Sequence, residues 1–437
     1  MRRQEKLNKW TVLWSAIGIS IVLGLLYVWS VISKGLQDEL GWTSTQASMP
    51  YTVFTISMAI GFFISGRIQD RHGPRICVTA ASILMGIGLL VSGLFTTPAL
   101  VMIGFGIING FGVGSGNVSS LSPSLKWFPY SKKGMVSGAV LAGIGFSAVI
   151  YSPLSNYLLG AVGVSNSFLV FGAVAFAFIF VLSFNMYDPP LGYDREAPDK
   201  GDGPADKGDG PVSPVRRKGQ TGLSPLSAGP SPLSGATVTG EDVCTRDMLK
   251  TPNFYLLFVL FAISSASGLM IIGHAAKIVQ VQASWEGGFL LVIVLSIFNT
   301  LGRFLGGMIS DKVGRTKTLI IILSIQAVNM LLFGLYGNLA TVAIGILAAG
   351  FCYGSIFSVM PALTSDLYGL KNFGANYGTV FLAWGIGGII GPMTAARIFD
   401  STGAYNTSYL IACALSVAAI FIVFAMRKEI RKQFKVK

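Results

Sequence analysis

The chain has 437 residues, of which 52% are hydrophobic and 12% charged, and it carries a formal net charge of +13. Soluble domains usually contain about a quarter charged residues, so this composition excludes an ordinary soluble domain and indicates a membrane protein with many spans. The net charge alone could indicate nucleic-acid binding, but the positions of the basic residues, described below, exclude that class.

Apolar segments of about 20 residues are long enough to cross the hydrocarbon core of a bilayer as helices. The sequence contains six such segments before residue 190 and six after residue 250. The predicted spans are 10–33, 45–66, 75–95, 98–124, 135–159, 165–187, 252–279, 286–310, 317–335, 340–363, 375–398 and 404–426. The sequence therefore predicts an all-α membrane protein with twelve transmembrane helices.

The segment between the two sets of spans, 188–250, is rich in Pro, Gly, Ser and Asp. Such a segment cannot bury enough apolar surface to offset the entropy lost on ordering. We therefore predict a flexible, largely disordered cytoplasmic linker over 188–250. It would join an N-terminal six-helix bundle, 1–187, to a C-terminal six-helix bundle, 251–437.

Basic residues lie almost entirely on one side of the predicted bundle. They occur in the two termini, in the linker and in the loops that follow spans 2, 4, 8 and 10. The exceptions are Lys34, Lys277, Arg303 and Arg397. Because cytoplasmic segments of membrane proteins carry an excess of Lys and Arg, we predict that both termini and the linker are cytoplasmic, in a multi-pass protein of the cell membrane. This distribution also accounts for the net charge without nucleic acid.

The two halves of the sequence repeat. Residues 66–75 after the second span and 307–315 after the eighth share the pattern Gly-x-x-x-Asp-[Arg/Lys]-x-Gly. A second echo pairs 134–138 with 374–378, at almost the same offset along the chain. Two parallel six-helix repeats joined by a long loop are typical of transporters.

The two loop motifs resemble the signature of the major facilitator superfamily, and the resemblance covers nearly the whole chain. It implies the fold of that superfamily, two six-helix bundles joined by a cytoplasmic loop. Glycine permits close helix approach, and a carboxylate can accept hydrogen bonds at a helix start. We predict that the loops form a latch that joins the halves in one conformation and releases them in the other. The predicted latch residues are Asp70, Arg71, Arg75, Asp311, Lys312 and Arg315.

Arg303 interrupts the apolar run of the eighth span. A guanidinium stays charged at ordinary pH and is costly in hydrocarbon, so Arg303 should face a watery cavity or a partner. No Asp or Glu lies near the middle of any predicted span. We interpret Arg303 as the binding group for an anionic substrate. The alternative is packing against backbone carbonyls at a helix break such as Gly306-Gly307.

A finer resemblance supports this interpretation. The segments 127–129 with 132–134, 27–30 and 376–378 resemble the oxalate/formate antiporter family, which is similar in turn to the monocarboxylate transporters. Both families place an Arg in the eighth span as the carboxylate contact, which implies that role for Arg303.

The sequence departs from both families at two positions. Animal monocarboxylate transporters have an Asp, implicated in proton coupling, where this chain has Asn299. The oxalate antiporter has a second cation, a Lys, at the position that alignment from 376–378 assigns to Trp384. These differences imply a substrate with one negative charge, against which Trp384 would offer an apolar wall and one N–H donor. Asn299 lies on the face of Arg303 and could orient the guanidinium or bind a substrate hydroxyl.

Four further residues are candidates for the site. His274 is the only histidine in a predicted span, and it titrates near neutral pH, so it is a candidate proton carrier or substrate donor; the alternative is a satisfied interfacial histidine. Tyr27, Tyr353 and Asn117 could line the cavity. For the aromatic residues, a packed or lipid-facing position is equally open.

The sequence thus predicts a secondary transporter of small monocarboxylates such as lactate or pyruvate, moved together with a proton by a protein that is monomeric in the lipid membrane. The alternative is a carboxylate exchanger of the oxalate/formate type. No HExxH motif or paired intramembrane aspartate occurs, so we predict neither an enzyme nor a metal or cofactor site. A substrate sensor would need an appended signalling domain, which the low-complexity linker does not resemble.

Overall fold

The computed structural model describes residues 8–25, 29–190, 193, 242–285 and 287–435. Within these residues every regular element is a helix. In chain order the α-helices are α1 Lys9–Leu23, α2 Trp29–Leu40, α3 Ser44–His72, α4 Pro74–Leu94, α5 Pro98–Val101, α6 Gly110–Trp127, α7 Lys133–Ser183, α8 Thr245–Met248, α9 Pro252–Ile272, α10 Ala275–Ala283, α11 Gly288–Val313, α12 Arg315–Phe333, α13 Leu339–Tyr368, α14 Phe373–Thr402 and α15 Asn406–Lys435.

Ten helical stretches among the described residues are long and apolar enough to cross a membrane. One of them, Tyr130–Ser183, has 54 residues and makes two crossings, because its backbone leaves the helical conformation at Gly163. The shorter apolar helix α1 completes the set. The predicted all-α fold of twelve membrane-crossing segments is confirmed.

Three predicted spans differ in detail from the structure. In the first, α1 ends at Leu23 and α2 begins at Trp29, on either side of residues 26–28, which lie outside the described residues. The seventh is interrupted between α9 and α10, where Gly273 and His274 form a turn. The fourth begins as a short α-helix and continues as a π-helix over Met102–Asn109 before α6. Apolar run length predicts that a segment crosses the membrane, but it does not register such local breaks.

The ends of the predicted linker are packed against the bundle. Residues 188–190 follow the N-terminal half, here 8–187, and residues 242–250 precede the C-terminal half, here 251–435. The remainder of the predicted disordered segment, apart from 193, lies outside the described residues. We call the face of the bundle on which these two ends lie the linker side.

Glycines allow the two halves to touch closely near the linker side. The halves meet mainly along two helix pairs, α3 with α14 and α7 with α11. A Cβ atom on Gly66 would overlap the backbone of Gly374, and one on Gly307 would overlap the backbone of Gly134. Both sequence echoes therefore meet across the interface, one pair at each crossing.

Gly163 supports a testable statement about the fold. Its φ of 78° and ψ of 174° lie in a region that residues with a Cβ rarely adopt. We expect Gly163→Ala to destabilise the folded state by roughly 1–3 kcal/mol, measured by thermal unfolding in detergent. Gly160→Ala is the matched control, because Gly160 lies on the same helix with space around it. Equal unfolding temperatures for the two variants would contradict the expectation.

Candidate functional site

Arg303 lies in the interface between the two halves. Its side chain is on α11 and the residue is only 1% exposed. The Nε atom donates a hydrogen bond to Oδ1 of Asn299 at 2.9 Å, and Nη1 donates to the carbonyl of Leu141 on α7 at 2.8 Å. The guanidinium carbon lies 4.6 Å from the centroid of the Phe357 ring. Arg303 therefore connects the C-terminal half directly to the N-terminal half.

This position bears on the alternative interpretation, in which Arg303 packs against backbone carbonyls. Arg303 does bind a backbone carbonyl, but that carbonyl belongs to Leu141 of the opposite half and not to the Gly306-Gly307 segment. Asn299 orients the guanidinium, as its spacing predicts. Leu141 has no polar side chain and is 162 residues away along the chain, so no sequence signal pointed to it.

Aromatic side chains surround the guanidinium on the C-terminal half. Trp384 donates its indole N–H to the hydroxyl of Tyr353 at 2.7 Å. The Trp384 ring stacks on Phe381 with 5.0 Å between centroids, and Phe357 contacts both of them edge-on. The polar tip of Trp384 is thus directed at Tyr353, and its ring lies against Phe381 and Phe357.

Three candidates on separate helices lie at one depth. Along α11, eight residues separate Arg303 from Asp311, a rise of about 12 Å. Along α14, ten residues separate Trp384 from Gly374, a rise of about 15 Å. Along α6, nine residues separate Asn117 from Lys126, which lies 4.0 Å from Asp70, a rise of about 14 Å. All three therefore lie about half the thickness of a roughly 30 Å hydrocarbon core away from the contacts on the linker side.

Asn117 is 1% exposed, and neither polar atom of its side chain has a hydrogen-bond partner among the described residues. Buried amides are nearly always bonded, so this one is available for a ligand in the N-terminal half. Tyr27, the other candidate from that half, lies outside the described residues.

His274 does not lie with the other candidates. Its Nε2 atom is 3.0 Å from the carbonyl of Pro392, and Nδ1 is 3.2 Å from the Tyr405 hydroxyl. Pro392 is eight residues beyond Trp384 on α14, so His274 sits about 12 Å from the depth of Arg303, away from the linker side. The structure thus does not bring His274 together with Arg303, and its contacts match those of the alternative, an interfacial histidine with its polar atoms satisfied.

Asp70 and Asp311 join the two halves near the linker side. The Asp70 carboxylate, at the end of α3, accepts hydrogen bonds from the amides of Gly374 at 3.2 Å and Ala375 at 2.7 Å. These amides open α14 in the other half. A carboxylate is favoured at a helix N-terminus, where backbone donors have no partner within the helix.

The second contact repeats the first with the halves exchanged. The Asp311 carboxylate, at the end of α11, accepts from the amides of Gly134 at 2.8 Å and Met135 at 2.7 Å, which open α7. Each aspartate of the repeated motif thus caps the helix that begins with the second sequence echo of the other half.

The Asp311 contact includes a buried group of charges. Arg315, which is 0% exposed, pairs with Asp311 and donates from Nε to Asp366 at 3.0 Å. Lys133 of the N-terminal half lies 3.3 Å from the same Asp366. The sequence analysis missed Asp366 and Lys133, although Asp366 stands at the repeat offset from Lys126.

Three of the predicted latch residues have other positions. Arg71 and Lys312 are exposed, and among the described residues neither makes a contact that joins the halves. Arg75 donates from Nη1 to the Tyr187 hydroxyl at 2.6 Å, within the N-terminal half. The carboxylates and helix-start amides, rather than the basic residues that follow them, make the contact.

Both ends of the linker reach the Asp70 contact. Asp188 lies 2.8 Å from Lys126, the neighbour of Asp70. Asp242 accepts from the amides of Leu370 at 3.1 Å and Lys371 at 2.9 Å, just before α14. The Val243 carbonyl accepts from Asn376 at 2.9 Å.

Twelve apolar helices in two halves, with a buried cation at mid-depth between them, define a membrane transporter built from two repeats. A sequence model of the Major Facilitator Superfamily matches residues 10–328 and 282–436. The chain therefore belongs to the Major Facilitator Superfamily, as its motifs predict.

Known relatives include both families that the finer motifs resemble. The oxalate:formate antiporter of Oxalobacter formigenes is 26% identical over 443 residues, which cover 98% of this chain and 94% of that protein. Monocarboxylate transporter 2 of Homo sapiens is 22% identical over 428 residues, which cover 93% of this chain and 83% of that protein.

The fold agrees with solved structures. A structure of the proton:xylose symporter XylE bound to 6-bromo-6-deoxy-D-glucose has a TM-score of 0.69 at 15% identity and covers 95% of each chain. The likeness concerns the arrangement of the helices.

The Asp311 contact yields a prediction about the separation of the halves. Hydrogen bonds to charged groups contribute roughly 1.5–3 kcal/mol each. Asp311→Asn should therefore raise, about tenfold or more, the population of molecules whose halves have separated on the linker side. Ser137, whose hydroxyl donates to the Ser358 carbonyl across the interface at 2.8 Å, is a suitable reporter position. We expect faster labelling of Ser137→Cys by a membrane-impermeant maleimide in a background without the native cysteines.

Asp247→Asn is the control for that experiment. Asp247 is exposed on the linker side, and its hydrogen bond with Lys250 lowers the pKa of its carboxyl, so the substitution also removes one negative charge. It should leave the labelling rate unchanged. A rate for Asp311→Asn within twofold of this control would contradict the proposed role of the contact.

Proposed function

We propose that the protein is a secondary active transporter of small monocarboxylates, such as lactate or pyruvate, that moves them together with a proton by alternating access. The observation that carries this proposal is the position of Arg303. Its guanidinium is buried at mid-depth between the halves, oriented by Asn299 and bonded to the carbonyl of Leu141 in the opposite half.

A carboxylate can replace Leu141 as the acceptor. Hydrogen bonds between two charged groups are stronger than those to a neutral carbonyl, and a guanidinium presents two parallel donors to one carboxylate. Binding would therefore release Arg303 from the N-terminal half and neutralise its charge. The substrate thus acts on the same contact that joins the halves, which couples binding to their movement.

The surroundings of Arg303 favour a small acid with one charge. Phe357, Phe381 and the ring of Trp384 form an apolar wall for a short alkyl group, and Tyr353 and Asn117 offer polar contacts to a hydroxyl or oxo group. Trp384 stands where the oxalate antiporter family has its second cation. The names of two relatives, an oxalate:formate antiporter and a monocarboxylate transporter, indicate small carboxylates as their substrates.

The two aspartate contacts serve in this proposal as the latch. They hold the halves together on the linker side, and their release would open that side and close the other. The basic linker side is the cytoplasmic one, in a monomer of the plasma membrane surrounded by lipid. No cofactor or metal takes part.

Exchange of two carboxylates is the second candidate function. It is favoured by Asn299, which takes the position of a titratable Asp in animal monocarboxylate transporters and cannot carry a proton. Counterflow separates the candidates, because an exchanger requires substrate on both sides of the membrane and a symporter does not.

Removal of the guanidinium tests the site. Truncating one partner of a buried charged pair costs about 3 kcal/mol, so Arg303→Ala should lower kcat/KM for lactate roughly 100-fold, and Arg303→Lys should fall between this variant and the wild type. The measurement is uptake of radiolabelled lactate into vesicles with an inward proton gradient.

Arg397→Ala is the control for the loss of one arginine, because Arg397 is exposed on α14 beyond Pro392. We expect wild-type uptake for this variant, and equal amounts of folded protein are verified by size-exclusion chromatography. Uptake by Arg303→Ala at half the wild-type rate or more would contradict the assignment of Arg303 as the substrate-binding residue.

Proton coupling has its own test. We propose that His274 carries the proton but does not bind the substrate, because it lies about 12 Å from the depth of Arg303. Histidine titrates near neutral pH, whereas glutamine keeps a donor for the Pro392 carbonyl but binds no proton. In His274→Gln, stimulation of uptake by a proton gradient should disappear, while lactate exchange at equal pH continues at the wild-type rate. Retained stimulation would mean that another group or the substrate carries the proton.

A further inference from the structure

Tyr377 is a fully buried phenol without a hydrogen-bond partner. It is 1% exposed, and its hydroxyl bonds to no other described residue. Nearly all buried polar groups in folded proteins are hydrogen-bonded, so an exception calls for a physical explanation. Burying a hydroxyl without a hydrogen bond costs free energy in this conformation. That cost is explained when the hydroxyl finds a hydrogen-bond partner in another conformation.

The position of Tyr377 is between the latch and the aromatic wall. It follows Gly374 by three residues, a rise of about 4.5 Å along α14, and precedes Trp384 by seven, a rise of about 10 Å. A substrate that left Arg303 towards the linker side would therefore pass Tyr377 before it passed the latch.

Phe62 covers Tyr377 from the opposite half. The two rings meet edge-on at 5.4 Å, and Phe62 also stacks on Phe381 at 4.0 Å with an interplanar angle of 11°. Phe62 lies two turns before Asp70 on the same helix, α3. Movement of α3 away from α14 must therefore break the Asp70 contact and lift Phe62 from Tyr377 together.

We propose that the Tyr377 hydroxyl forms a second carboxylate subsite, which is exposed only when the halves separate on the linker side. The inference rests on the proposed transport of monocarboxylates. The phenol would donate one hydrogen bond to the substrate carboxylate after it leaves Arg303. Because Tyr377 supplies a donor without a positive charge, the subsite binds more weakly than Arg303, which favours release over return.

The test compares substrate affinity from the two faces of the membrane. Right-side-out and inside-out vesicles are distinguished by the exposed Cys244, which an impermeant maleimide labels only where the linker side faces outwards. In Tyr377→Phe, we expect the KM for lactate to rise about tenfold at the linker side and to stay within twofold at the other face, since a hydrogen bond to a charged group is lost at one face only.

A stability measurement distinguishes a binding role from a structural one. Tyr409 is an equally buried tyrosine, 2% exposed, whose hydroxyl donates to Gln282 at 2.9 Å. Tyr409→Phe should lower the Tm of the substrate-free protein, because the Oε1 atom of Gln282 loses its donor. Tyr377→Phe should leave the Tm unchanged or raise it, because no bond is lost.

The outcomes separate this inference from the proposed function. A one-sided rise in KM with an undiminished Tm supports the subsite. A KM unchanged at both faces, a rise at both faces, or a Tm lowered as much as in Tyr409→Phe would overturn the subsite while wild-type lactate transport stands. Absence of monocarboxylate transport by the wild type would overturn both proposals.

Discussion

The structure buries one guanidinium, that of Arg303, in the contact between its two halves. Arg303 stays charged, so the protein must satisfy it. It does so with Asn299 from its own helix, the Leu141 carbonyl from the other half and the face of Phe357. The group best suited to attract an anion is therefore also one that stabilises the contact between the halves, and an anion that binds it competes with that contact.

The internal repeat explains why the latch is double. Each half has an aspartate near the end of its second span and a pair of backbone amides at the start of its fifth, and each aspartate caps the amides of the other half. Glycine on both sides of each crossing lets the backbones approach closely enough for these bonds. The two latches differ in their charges, since Arg315, Asp366 and Lys133 support Asp311, while Lys126 supports Asp70.

The features that can be predicted from the sequence are those that depend on the length of the apolar runs and on the internal repeat. The twelve crossings, the paired motifs and the depth of Arg303 follow from them. The partners of these groups do not, because Leu141 offers a backbone carbonyl and is distant along the chain. The echo of 134–138 in 374–378 is visible in the sequence, but only the packing of the halves shows that its backbone amides donate to the aspartate of the opposite half. The residue type of His274 makes it a candidate proton carrier or substrate donor, but the sequence does not predict the helix break that places it near Pro392 and Tyr405.

Both ends of the linker bond residues beside the Asp70 contact, but the length of the linker lets the two halves move apart. Asp188 bonds Lys126 of the N-terminal half, and Asp242 bonds the amides that precede α14 in the C-terminal half. Each end therefore moves with its own half. The chain between residues 190 and 242 can span more than roughly 150 Å when extended, far beyond any separation that opening the latch requires. The polar contacts that hold the linker side closed therefore include the helix caps and the Arg303 contact, and in the proposed function these are the contacts on which a substrate would act.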